Sequence, residues 1–346
     1  MPSPYSGRPA HTFWKRAVSD RHFSNLNQLI PVIPGLETSR IATAGSCFAQ
    51  HIGHNLRIRG LNYMDMEPVP ALLSEADGAA LGYGIYSCRY GNIYTSRQLL
   101  QLMQEAFSQR TPVEGIWEKE GRFFDALRPT LEPQGFGSKD EVITLRTSHL
   151  KRVRRMFETL EIFVFTMGLT ETWASTLDGT VYPVAPGVAA GDYDSQRHRF
   201  VNLSFSEVMA DMQAFRDKLI EVNPGARMLL TVSPVGLAAT ATDEHVLTAT
   251  THSKSVLRAV AGEMSQTHDN VQYFPSYELV VGQPTRHSFY EPDLREVSQF
   301  GVNEVMRQFF AVNQVQVSAQ GSDATTDEDF GYEQCDDALL TAEAPQ

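Results

Sequence analysis

The sequence predicts an α/β fold: a three-layer, doubly wound, mostly parallel sheet with inserted loops and helices. Three observations lead there. Residues 41–45, 161–167 and 226–232 are short, nearly continuous apolar runs that stop at Gly45, Gly168 or Ser233-Pro234, as strands buried on both faces of a parallel sheet do. Segments with apolar residues at helical spacing lie between them. Strands alternating with helices, with no internal repeat, make a doubly wound sheet the simplest arrangement.

In chain order, the first unit is the run Arg40-Ile41-Ala42-Thr43-Ala44-Gly45, then Ser46-Cys47 on a tight turn, then a helix through Leu56. A Gly/Tyr-rich stretch leads to Tyr90-Gly91-Asn92-Ile93-Tyr94-Thr95, after which Ser96 is expected to cap a helix over 96–103. Residues 117–125 read as a hairpin turning at Lys119-Glu120-Gly121. A helix with Lys151, Arg152, Arg154 and Arg155 on a solvated face feeds the strand at 161–167, and Thr170 is expected to start another helix. Residues 182–193 form a long loop. A helix over 206–222, with Glu207 and Asp211 in its early turns, precedes the turn Asn223-Pro224-Gly225 and the strand at 226–232. A helix at 253–264, a short strand at 271–274 and a helix at 300–312 close the fold.

Three segments are expected: an N-terminal arm over 1–35, the α/β domain over 36–315 and an acidic tail over 316–346. The 346 residues, 42% hydrophobic and 20% charged, suffice for a large core. Of the net charge of −12, most belongs to the tail, which holds eight acidic residues and no Lys or Arg. Its Ser, Thr, Gly, Asp and Ala buy too little burial to offset ordering, so it is expected to be disordered. Two roles stay open for it, a solubilising end or contact with a protein partner. The chain has no basic stripe, which argues against nucleic acid as a partner. It also has no run of 18 apolar residues, so no membrane insertion is expected. Residues 1–20 lack the apolar segment of a secretory leader, giving a cytoplasmic expectation. Cys47, Cys88 and Cys335 are far apart and odd in number, without metal-type spacing or a disulfide framework, so neither metal nor cofactor is expected.

Sheets of this kind bind ligands at the carboxyl ends of their strands. Here those ends are Gly45-Ser46-Cys47, Gly168-Leu169-Thr170-Glu171, Ser233-Pro234-Val235 and the segment after Phe274. The first sits at a helix N-terminus, where unpaired N–H groups and the dipole stabilise a thiolate, an alkoxide or an oxyanion. Three readings of that turn stand: Cys47 as nucleophile, since a thiolate there needs least help from a base; Ser46 as nucleophile; or a structural turn in which Cys47 packs and Ser46 caps. Gly91-Asn92 is either an oxyanion donor or a plain turn. Glu171 caps or pairs on the helix expected from Thr170, and Lys254 meets an acidic substrate or lies exposed on its helix.

The motifs Gly45-Ser46-Cys47-Phe48-Ala49, Phe165-Thr166-Met167-Gly168-Leu169-Thr170-Glu171-Thr172-Trp173, Thr231-Val232-Ser233-Pro234-Val235, Ser253-Lys254-Ser255-Val256-Leu257 and Tyr273-Phe274-Pro275-Ser276-Tyr277-Glu278 resemble those of the GSCFA family, in the SGNH/GDSL hydrolase-like group. The resemblance runs from about residue 41 to 310 and implies an SGNH-like fold of flavodoxin-like topology. Laid without gaps on the group's first block, Cys47 takes the place of its serine. Gly91 corresponds to the second-block glycine, Gly168 to the third-block glycine, Thr170 to its asparagine and Glu171 to its aspartate. In the final block Asp293 matches, but Glu296 stands where the group has histidine. A weak base at Glu296, a substitute histidine (His245 or His252 first, His51 or His287 by sequence proximity) or a silent site are the alternatives. The resemblance implies an esterase or O-acyltransferase acting on an acylated glycan or similar small hydroxylic substrate through an acyl intermediate. The other expectation is a catalytically silent binding or scaffold protein.

Overall fold

Phe, Val, Ile and Leu dominate the central strands because helices cover both faces. The computed structural model describes residues 3–315, 336 and 339. Its elements, in order, are β1 (Ile41–Gly45), α1 (Phe48–Ile58), α2 (Glu75–Ala80), α3 (Ser96–Ala106), β2 (Ile116–Lys119), β3 (Arg122–Asp125), α4 (Lys139–Thr159) and β4 (Ile162–Met167). Then come β5 (Glu171–Ser175), β6 (Val181–Tyr182), β7 (His198–Asn202), α5 (Phe205–Val222), β8 (Arg227–Val232), α6 (Val246–Thr267), β9 (Val271–Tyr273), α7 (Ser276–Val281) and α8 (Gln299–Val312).

The central sheet has the order β1-β4-β8-β9, with every pairing parallel. On the free side of β1, a parallel bridge joins Ile41 to Tyr63, supported by Ile41 N–H donating to Asn62 O and Met64 N–H to Ile41 O. The chain after α1 thus takes the position of a second strand, and the spatial order becomes that of a flavodoxin-like sheet. Alternate residues of β4 divide the core. Phe163, Phe165 and Met167 pack with Val153, Met156 and Phe157 of α4, Phe215 of α5 and Leu257 of α6. Ile162 and Val164 pack on the other face with Phe48 and Ile52 of α1, Val280 of α7 and Phe309 of α8. This is the expected three-layer arrangement.

The segment before β1 belongs to the second face. Leu26, Ile30, Ile33 and Leu36 are buried there, Leu26 N–H donates to Gln308 Oε1 at 2.9 Å, and Ile33 N–H to Asn313 Oδ1 at 2.6 Å. The tail expectation falls outside the described residues, except at Asp336 and Leu339.

Several local expectations are corrected. Thr95, not Ser96, caps α3, its side chain accepting from Gln98 N–H. Thr170 starts no helix: Glu171–Ser175 is a strand in an antiparallel β6-β5-β7 sheet. Both Gly168 N–H and Leu169 N–H bond to Tyr94 O, which turns the chain out of the central sheet, and Thr172 and Trp173 suit an extended backbone. α6 begins at Val246, earlier than expected, with His245 as its cap. The hairpin, the basic helix α4 and the closing helix α8 lie where the sequence places them.

Candidate active site

The carboxyl ends of β1 and β4 meet at Gly45-Ser46 and Gly168. Gly45 has φ +144°, and a Cβ there would stand 2.4 Å from Thr166 O, so the residue must be glycine for the two strands to close up. Ser46 N–H donates to Thr166 O, and Ile93 N–H donates to Gly45 O at 2.8 Å. The turn is thereby held between β4 and the 91–94 segment. A Cβ on Gly168 would lie 2.9 Å from Ser46 Cβ and 3.1 Å from Tyr94 O; the missing side chain is what lets Ser46 sit there.

The two residues of the turn diverge. Cys47 is 3% exposed and belongs to the apolar cluster beneath α1 with Phe48, Ile52 and Val280. Ser46 is also 3% exposed, but its side chain lies against Gly168, and its buried Oγ makes no hydrogen bond among the described residues. Buried hydroxyls are ordinarily paired. Ser46 therefore has an unused hydroxyl at the end of the first strand.

A polar network borders the turn. Tyr86 OH bonds to Ser46 O at 3.2 Å and to Asn92 Oδ1, and Gln50 Nε2 donates to both Tyr86 OH and Asn92 Oδ1. These partners occupy the oxygen of the Asn92 amide and orient its Nδ2. That nitrogen donates to Asp336 Oδ2 at 3.0 Å. Gln98 clamps the segment, its Nε2 donating to Asn92 O and its Oε1 accepting from Tyr94 N–H. Tyr86, Tyr94, Gln50 and Gln98 were not singled out by sequence reasoning. Their signal, the Gly/Tyr-rich stretch before Gly91-Asn92, was noted in the sequence, but this stretch forms no strand and its side-chain partners come from α1 and α3. Gly91 has φ +69° and forms the turn ahead of Asn92.

Other candidates stand elsewhere or in other roles. Thr170, which stands at the third-block asparagine, is fully buried and both its donors are in use, N–H to Ser253 Oγ and Oγ1 to Asn202 Oδ1. Glu171 accepts from Thr240 Oγ1 and Ala241 N–H, fastening the 240–241 loop to β5. Lys254 is not an exposed helix residue: it is 1% exposed and its Nζ donates to Gly168 O at 2.7 Å, tying α6 to the glycine that faces Ser46. Asp293 is exposed and accepts from the N–H groups of Arg295 and Glu296, closing its own turn. Glu296 is exposed beside Arg295, 3.7 Å away. The His245 ring accepts from Leu247 N–H as a helix cap, and His252 is exposed on α6. His51 is buried on α1 against Phe48, and His287 is exposed against Tyr290. None of these hydrogen-bonds to Ser46 Oγ. The structure thus gathers Gly45, Ser46, Cys47, Asn92 and Gly168, while the final block lies against the chain after β8, Tyr290 OH donating to Pro234 O and Arg295 Nε to Gly236 O. Among the described residues, no helix is long and apolar enough to cross a membrane.

A doubly wound α/β sheet with a buried serine at the end of its first strand defines the general class. Within it the chain belongs to the GSCFA family, whose model matches residues 40–309. No curated protein matches the chain. Among solved structures, it is similar to a protein provisionally described as a GDSL-like lipase from Parabacteroides merdae ATCC 43184, at 12% identity and a TM-score of 0.33, covering 83% of this chain and 100% of that one. A second crystal structure is 13% identical with a TM-score of 0.27, covering 48% of this chain and 71% of the other.

Proposed function

We propose that the protein is a hydrolase-like acyl-transfer enzyme with the Ser46 hydroxyl as acyl acceptor. The observation that carries this reading is the buried, unbonded Oγ of Ser46 beside Gly168. Oγ attacks the ester carbonyl of an acylated glycan or similar hydroxylic substrate. The new Oγ–C bond forms as the carbon–alkoxide bond breaks, and the departing alkoxide takes up the proton that Oγ gives up. N–H groups at the start of α1 and Nδ2 of Asn92 are suited to hold the oxyanion. Water or a second hydroxyl then releases the acyl group. Cys47 packs in the apolar cluster and supports the turn.

The test is intact-protein mass spectrometry after exposure to p-nitrophenyl acetate. We expect an acetyl adduct on wild type and on Cys47→Ala, and none on Ser46→Ala. An adduct lost only in Cys47→Ala would move the nucleophile by one residue. One observation favours a second reading, a binding protein on the same fold: among the described residues, no imidazole or carboxylate is hydrogen-bonded to Ser46 Oγ. Absence of adduct on every folded form would favour that reading.

A further inference from the structure

Asp336 is only 6% exposed, and the side chains that bond to its carboxylate are far from it in sequence. Among the described residues its carboxylate accepts from Asn92 Nδ2 at 3.0 Å and Tyr94 OH at 3.3 Å on Oδ2, and from Thr130 Oγ1 at 2.7 Å on Oδ1. All three donors belong to the α/β body and two of them are fixed by it. Asn92 is oriented by Tyr86 and Gln50, and the backbone at Asn92 and Tyr94 is clamped by Gln98. Donors held in place this way favour a charged acceptor over water or a neutral group.

We propose that Asn92, Tyr94 and Thr130 form a carboxylate-binding subsite beside the Ser46 turn, with Asp336 as its internal ligand. The subsite recognises a carboxylate, whether from the chain's own C-terminal segment or from a free molecule. That Asp336 also restrains reaction at Ser46 rests on the acyl-transfer reading above, because Asn92 is the group offered there to an oxyanion. An acid formed by ester hydrolysis carries the same functional group, so in that scheme Asp336 stands where a product would.

The experiment uses the full chain with Asp336→Ala, sodium acetate as probe, and acetamide and sodium chloride as controls. Loss of the three hydrogen bonds is expected to lower Tm by about 3 °C. Acetate at about 100 mM is expected to recover at least half of that drop, acetamide and chloride none of it, and wild type is expected not to respond. Asn92→Leu added to Asp336→Ala should abolish the acetate response. Acetate acting no differently from acetamide, or shifting wild type and variant equally, would overturn the subsite. If Asp336→Ala does not fold, refolding with and without acetate gives the same reading: rescue by acetate alone supports the subsite, and no rescue overturns it. The rate of adduct formation at Ser46 is a separate arm. A tenfold or greater rise in Asp336→Ala, suppressed by acetate, places the restraint on Ser46. An acetate response without any adduct leaves the subsite standing and removes the acyl-transfer reading.

Discussion

Ser46 sits where it does because position 168 has no side chain. Gly168→Ala would press a methyl group to 2.9 Å from Ser46 Cβ and 3.1 Å from Tyr94 O, and overpacking of this kind costs about 1–3 kcal/mol. Thermal unfolding should register that loss. The double variant Gly168→Ala, Ser46→Gly should recover part of it, because the colliding Cβ is then gone; additive losses would show that Tyr94 O alone is the obstacle. Lys254 bears on the same spot through Gly168 O. The residues most responsible for the geometry of the turn are therefore a glycine and a buried lysine that touch Ser46 or its neighbour, and neither carries out chemistry.

Among the elements, α5 shows how local signals secure a helix. The Ser204 side chain accepts from Glu207 N–H while the Glu207 carboxylate accepts from Ser204 N–H, a reciprocal capping box. Ser204→Ala should cost about 1 kcal/mol, measured by denaturant unfolding with an unchanged m-value. Strands β1, β4 and β8 were legible because burial on both faces makes them continuously apolar. The β6-β5-β7 sheet was not. Its strands mix Glu171, Thr172, Arg199 and Asn202 with aromatic residues, and its pairing depends on the turn at Gly168 rather than on periodicity. The site was legible in the same uneven way. Gly45, Ser46, Asn92 and Gly168 lie at strand ends or beside a turn glycine, where topology gathers ligand-binding groups. Thr130 and Asp336 are 206 positions apart, and no local pattern announces such a contact. Thr170 and Glu171 were chosen by analogy of position, and neighbours on β7, α6 and the 240–241 loop engage them first.

At the scale of the whole molecule, acid stability turns on a buried pair that fastens the chain after α1 to α4. Glu67 Oε2 lies 2.6 Å from His149 Nδ1 and also accepts from Arg89 N–H. Burial, then the nearby Arg128 charge, holds His149 down to about 4, against the opposing pull of Glu67. At neutral pH it is thus a neutral Nδ1–H donor to the Glu67 carboxylate. Burial pushes Glu67 up, but hydrogen bonds from His149 and from Arg89 N–H, with the charge of Arg128, bring it below the usual carboxylate range. The unfolded chain protonates its histidine near pH 6.5 while the folded one refuses the proton until about 4. Stability should therefore fall as pH drops through that window, by about 3 kcal/mol for His149. Below the unfolded carboxylate value, the Glu67 contribution should go as well. Denaturant unfolding at several pH values between 7 and 4 would trace the loss, and His149→Gln should flatten the curve above pH 4.5. An unchanged slope in that variant would assign the acid sensitivity elsewhere.

The hydrogen bonds from Leu26 to Gln308 and from Ile33 to Asn313 span 282 and 280 positions. A chain emerging from a ribosome makes the first partner of each pair long before the second exists. The layer containing α1, α7 and α8 therefore cannot be sealed until synthesis has passed Asn313, whereas α3, α4 and β4 can assemble much sooner. Until then Leu26, Ile33 and Phe48 have no complete cover, and one face of the nascent sheet stays open to chaperones or to premature association. Closing loops of this length carries an entropic cost and raises the mean sequence separation of contacts, which slows folding.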